Sequence, residues 1–129
     1  MYTPRVADGH LLAVRCEPKS PDEWAFYFVN DTDDPIDELV LARVGYEWGD
    51  TGNEKVLDRD LGALGPRRFV LAWRDDSDGA ELRMDLGFRL MTSRGRASLT
   101  FEVGKLYRRR DVQVEAPLLG QVCTVVRPE

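Results

Sequence analysis

A chain of 129 residues, 43% hydrophobic and 32% charged, has the composition of one globular domain and excludes collagen, coiled coil and wholesale disorder. Its net charge of −5 and pI near 5.0 set the surface as a whole against non-specific nucleic-acid binding. It holds no uncharged apolar run long enough to span a bilayer, and Met1–Asp8 lacks the charged region followed by an apolar one that marks a secretory leader. The expectation is a single cytoplasmic domain over residues 1–129, with neither membrane nor nucleic acid as partner.

The dominant pattern is period-two alternation, the mark of strands with one buried face. Leu11 to Cys16 reads as the first strand, followed by the turn Pro18–Pro21. Ser20-Pro-Asp-Glu23 resembles a helix capping box, yet the aromatic run after it reads as a strand with Trp24, Phe26 and Phe28 on one face. The turn Asn30–Pro35 follows, then the row Val40, Ala42, Val44, Tyr46 and Trp48, with Leu39 and Leu41 on the opposite face. Gly45 is the candidate bulge in that row. After the turn at Gly49–Asn53, residues Lys55 to Leu64 fit either a short strand or a turn of helix.

Phe69, Leu71 and Trp73 form the next row, and Asp75–Gly79 a hairpin turn. The clearest alternation comes after it: Leu82, Met84, Leu86, Phe88 and Leu90 against Arg83, Asp85, Gly87 and Arg89. A turn at Ser93-Arg94-Gly95 leads to Ala97, Leu99, Phe101 and Val103. Asp111–Glu115 and a stretch around Val122–Val126 complete the set. About eight short strands with turns every 8–14 residues predict an all-β fold, a single antiparallel β-sandwich.

Leu64-Gly65-Pro66 followed by Phe69-Val-Leu-Ala-Trp73 resembles the corner leading into the penultimate strand of immunoglobulin-like and fibronectin type III-like sandwiches. The strand order from Leu11 to Leu90 is similar to that superfold as well. The chain departs from the pattern in having Phe69 where the corner carries a tyrosine and in lacking the antibody cysteine pair. Residues 91–129 would also add strands. The resemblance implies an immunoglobulin-like architecture and no function, because the superfold hosts many.

Three constellations bear on function. Asp31, Asp33, Asp34, Asp75, Asp76 and Asp78 lie in two acidic turns; under the immunoglobulin-like reading the turns share one end, where clustered carboxylates would suit a hard cation such as calcium. The competing reading is that aspartates stand there as turn formers. Arg94, Arg96, Lys105, Arg108, Arg109 and Arg110 face only Glu102 as an acid within the same stretch. That basic run is either a protected sheet edge or a contact surface for an acidic protein partner. Residues 1–66 hold 6 Lys+Arg against 14 Asp+Glu, and residues 67–129 hold 12 against 9.

An enzyme is the poorer expectation from the sequence. His10 is the only histidine and has no nucleophile motif beside it, and no glycine-rich phosphate loop occurs. Cys16 and Cys123 are too few for a zinc site and are expected as reduced thiols, the alternative being a disulfide if the first and last strands are neighbours. Asn30-Asp31-Thr32 fits a glycosylation sequon, without weight absent a secretory leader. The expectation is a non-catalytic binding or assembly module without a cofactor. The alternative is a cation- or carbohydrate-binding sandwich using the acidic end loops.

Overall fold

The computed structural model of the chain describes residues 9–17, 20–48, 51–76, 83–104, 114–115 and 122–128. Among these the chain forms strands and no helix: β1 (His10–Glu17), β2 (Ser20–Asn30), β3 (Ile36–Trp48), β4 (Thr51–Leu64), β5 (Arg68–Asp76), β6 (Arg83–Thr92), β7 (Gly95–Val103), β8 (Val114–Glu115) and β9 (Val122–Val126). All ladders are antiparallel, in two sheets ordered β5-β2-β1-β9-β8 and β4-β3-β6-β7. Among the described residues no helix is long and apolar enough to cross a membrane. Ser20–Glu23 is extended, so its capping-box pattern goes unused, and Lys55–Leu64 is strand throughout.

The core lies between the inward faces of the two sheets. Leu12, Val14, Phe26 and Phe28 meet Leu39, Leu41, Val44, Met84, Leu86, Phe88 and Phe101, all at most 1% exposed. Phe28, Phe88 and Phe101 form an aromatic triad with ring centroids 4.9, 5.6 and 6.0 Å apart, tilted or edge-on. That geometry adds roughly 0.5–1.5 kcal/mol per pair beyond area burial. The β6 row is as the alternation requires: Met84, Leu86, Phe88 and Leu90 are buried while Arg83 and Arg89 are exposed; Leu82 lies outside the described residues.

Two other rows change face partway, each at an inserted alanine. In β3, Leu41 pairs Phe88 and Arg43 pairs Gly87, leaving Ala42 as the extra residue. Leu39 and Leu41 before the bulge and Val44 after it enter the core, while Val40 is buried outside that cluster. The strand start is therefore covered on both faces, the core row does not begin at Val40, and the bulge is at Ala42 and not Gly45. In β5, Phe26 pairs Trp73 and Tyr27 pairs Leu71, leaving Ala72. Trp73 and Val70 pack on the core, whereas Phe69 faces outward at 42% exposure. One extra residue flips every side chain beyond it.

Sheet β5-β2-β1-β9-β8 is apolar on its outer face too, where Leu11, Ala13 and Val29 are buried with Tyr27 and Val125 against them. Tyr27 meets Phe69 edge-on at 6.0 Å, and the Arg15 guanidinium lies 5.8 Å from the Tyr27 ring. Cys16 and Cys123 lie in β1 and β9, which are neighbours; their side chains fall outside the described residues.

Candidate binding end of the sandwich

At one end of the sandwich the β2–β3 loop (residues 31–35), the β4–β5 turn (residues 65–67) and the β6–β7 hairpin come together. Asn30, the last residue of β2, organises this end and is fully buried. Its Nδ2 donates toward the carbonyls of Asp34 (3.0 Å), Gly65 (3.0 Å) and Leu64 (3.4 Å), and its Oδ1 accepts the Thr32 hydroxyl at 2.6 Å. Thr32 Oγ1 also accepts the Asp34 N–H at 3.2 Å. Asn30 in the sequon is thus a structural hub with its amide fully engaged. The Leu64-Gly65-Pro66 corner enters β5 at a sheet edge, not a penultimate strand, and its tie is the Asn30 amide.

Arg67 clamps the same loop from the other side. Its backbone sits in the left-handed region (φ 55°), a conformation that costs a non-glycine residue roughly 1 kcal/mol or more. The clamp offsets that strain. Arg67 Nη1 donates to the Asp31 carbonyl (2.9 Å) and Oδ1 (2.8 Å), Nη2 and Nε donate to Asp33 Oδ1 (2.8 and 3.2 Å), and its N–H reaches the Thr32 carbonyl (3.2 Å). These contacts raise the guanidinium's proton affinity, first through the Asp33 bond and then through Asp31. The Asp31 N–H donates to the Gly9 carbonyl at 3.1 Å, tying the loop to the chain before β1.

The hairpin supplies the third wall. Thr92 Oγ1 accepts the Arg94 N–H (3.2 Å) and donates to the Gly95 carbonyl (3.3 Å), and Gly95 takes the positive φ of 108° that glycine permits. Arg94 pairs with Asp34 at 3.4 Å, with side-chain exposures of 85% and 55%. Between loop and hairpin lies an open cleft of about 660 Å³, lined by His10, Thr32, Asp33, Asp34, Thr92 and Arg94 among others. His10 is half-buried at its rim, 5.7 Å from the Phe28 ring, and burial lowers its pKa below 6.5. Burial thus favours the neutral imidazole.

Among the described residues the two acidic turns do not meet. In the β2–β5 ladder Asn30 pairs Arg68, whereas Trp24 pairs Asp75 and Glu23 pairs Asp76. Asp31, Asp33 and Asp34 thus stand at the start of β5 and Asp75 and Asp76 at its end, roughly 24 Å away at about 3.4 Å per residue. Asp78 lies outside the described residues. Asp75 instead accepts hydrogen bonds from Tyr46 across the sandwich and from Trp73 Nε1 at 3.0 Å. Among the described residues no three His, Cys, Asp or Glu side chains converge as a cation site would need.

Of the basic set, Arg94 and Arg96 are exposed at the hairpin and on β7. Lys105, Arg108, Arg109 and Arg110 lie outside the described residues. The hairpin brings Arg94 to Asp34, joining two constellations that are sixty residues apart in sequence. Asn30 and Arg67 were missed: the first reads as one more turn former, and nothing local marks the second. No protein-family model, curated protein or solved structure matches the chain.

Proposed function

We propose that the protein is a non-catalytic binding module, immunoglobulin- or fibronectin type III-like in topology, whose loop end recognises a protein partner. The strand order supports the architecture. The first, second and fifth strands share one sheet and the third, fourth, sixth and seventh share the other, as when a strand is added beside the third in the immunoglobulin arrangement. β9 and β8 extend the first sheet beyond β1.

One observation carries the binding reading: residues 31–35 are held by Asn30 and Arg67 from both sides, while their charged tips stay in water. Asp33 is 91% exposed at its side chain, and Arg94 and Asp34 form a solvent-facing pair. An exposed pair of this kind contributes at most about 1 kcal/mol, so its two charges can be turned to a partner at small cost. A loop already ordered before contact also spares the complex part of its entropy loss. The cleft is lined by His10 and by Thr32, whose hydroxyl is already engaged with Asn30. The cation reading loses its support once the acidic turns separate. Trp24 and Trp73 pack on the core and form no exposed stacking row for sugar rings.

The test is capture of partners from native lysate by wild-type protein and by an Asp33→Lys, Asp34→Lys, Arg94→Glu variant. The expected result is loss of the captured species with the variant, and weaker wild-type capture once salt brings the Debye length below about 8 Å. A variant that folds and retains every captured species refutes the loop end as the recognition surface.

A further inference from the structure

Every open sheet must protect its edges, because unpaired N–H and C=O groups on a regular strand template the addition of another. The described edges differ sharply in how they do so. β4 is irregular: its ladder with β3 shifts register three times, Asp58 (φ 46°) and Gly62 (φ 80°) take left-handed conformations, and Asp58 and Asp60 are exposed. β5 follows Pro66, carries the Ala72 bulge and presents Arg68 and Arg74 to solvent.

β7 has none of these devices except charge. Its nine residues contain no proline, its ladder with β6 runs without a register shift, and Gly95 to Ser98 are exposed. Among the described residues no strand pairs with its outer edge.

The sequence of β7 is also self-complementary. Its pairing with β6 places Arg96, Ser98, Thr100 and Glu102 on the solvent face, and Ala97, Leu99, Phe101 and Val103 on the face turned to the core. Laid antiparallel against an identical strand with a two-fold axis through Leu99, Arg96 stands opposite Glu102 of the second copy, and Glu102 opposite its Arg96. Ser98 then faces Thr100, and Leu99 faces Leu99. Directly opposed opposite charges and hydroxyl pairs are the favourable cross-strand combinations. Any antiparallel register displaced by two residues breaks the match. Among the described residues the Arg96 side chain has no hydrogen bond or ion pair, while Glu102 pairs with Arg83 on the neighbouring strand. Half-buried Leu99 would gain its own counterpart.

We infer that β7 is a homodimer interface, in which two copies of the chain join edge to edge in this register and the sheet β4-β3-β6-β7 continues across the two-fold axis. A symmetric contact of this kind closes on itself and leaves no further β7 edge to propagate. The inference uses the edge of the strand, not the loop end, and stands or falls independently of the recognition proposed there.

The test is sedimentation of the full chain at about 10–100 µM. The expected wild-type species is a dimer. Arg96→Glu sets carboxylate against carboxylate at both ends of the contact, and Glu102→Arg sets guanidinium against guanidinium there. Each variant alone should therefore dissociate at least about tenfold more readily. Mixing the two variants in equal amounts opposes the two acids of one chain to the two bases of the other, and should restore the dimer as a heterodimer. Melting curves of each variant check folding. If Glu102→Arg unfolds through loss of its Arg83 partner, a Leu99→Cys chain provides the second measurement. A short bis-maleimide should join two such chains across the axis, beyond any linkage that wild type shows through Cys16 and Cys123. A wild-type chain that is monomeric throughout, or a dimer indifferent to both charge reversals and with no added link at residue 99, overturns the inference.

Discussion

Replacing Asn30 tests the end of the molecule on which the proposed recognition depends. The Nδ2 group has two hydrogens and faces three carbonyls, so it makes two good hydrogen bonds at a time, and Oδ1 accepts a third bond from Thr32. Asn30→Ala removes all three and strands the Leu64 carbonyl in a buried site. At a net of roughly 1 kcal/mol per bond, and up to about 3 for a polar group left unpaired, the loss should be about 3 kcal/mol. For a chain of this size that lowers the melting temperature by roughly 10 °C. Asn30→Asp keeps the shape but points a carboxylate with no donor at three carbonyl oxygens, so near neutral pH it should cost more than alanine. Its native-state pKa would be raised, the folded form would bind more protons than the unfolded form, and stability should rise as pH falls. Urea unfolding of the two variants from about pH 7 to about pH 5 measures both effects. An alanine cost below about 0.5 kcal/mol, or an aspartate variant no worse than alanine, would show that the amide does not hold these loops.

Arg67→Ala and Arg67→Gly both lose the clamp on Asp31 and Asp33, but glycine is at ease at φ 55°, so the glycine variant should be the more stable by about 1 kcal/mol in denaturant. Leu86→Ala, at a fully buried core position, should cost about 2–5 kcal/mol; an unchanged unfolding midpoint would mean that the β6 register is wrong. Because burial lowers the His10 pKa below 6.5, the folded state resists its protonation. Its contribution to stability is intact above pH 6.5 and is lost as pH falls below that value. Between about pH 7.5 and about pH 5.5 the wild type should lose more melting temperature than His10→Gln does, and equal losses would refute the assignment.

Local alternation marked the strands well where pairing stayed regular, as in β6, because burial on one face writes itself into every second residue. It misled where the partner strand decides. Ala42 and Ala72 look like ordinary strand residues, and only the ladders with β6 and β2 show that each is an insertion that turns Val40 and Phe69 away from their expected faces. The acidic turns failed as a cluster for a related reason. Each turn is visible in sequence, but the direction in which β5 runs against β2 decides which end of the sheet it occupies. Asn30 and Arg67 reveal their importance only through contacts more than thirty residues away, beyond the reach of any local pattern.

The central place of β1 bears on how the chain reaches its native state. β1 pairs on one side with β2, its immediate successor, and on the other with β9, through partners such as Leu12 and Val126 that lie almost the whole chain apart. During synthesis the β1–β2–β5 portion can assemble early, but the second edge of β1 stays open until β9 emerges. At roughly 5–20 residues per second that interval is several seconds or more. A strand as apolar as Leu11–Val14 left open for that time is a target for wrong partners, and long-range closure of this kind is also slow in refolding. The nascent chain's exposure to aggregation and chaperone capture should therefore end when residues 122–126 arrive, not when the core between the sheets first forms.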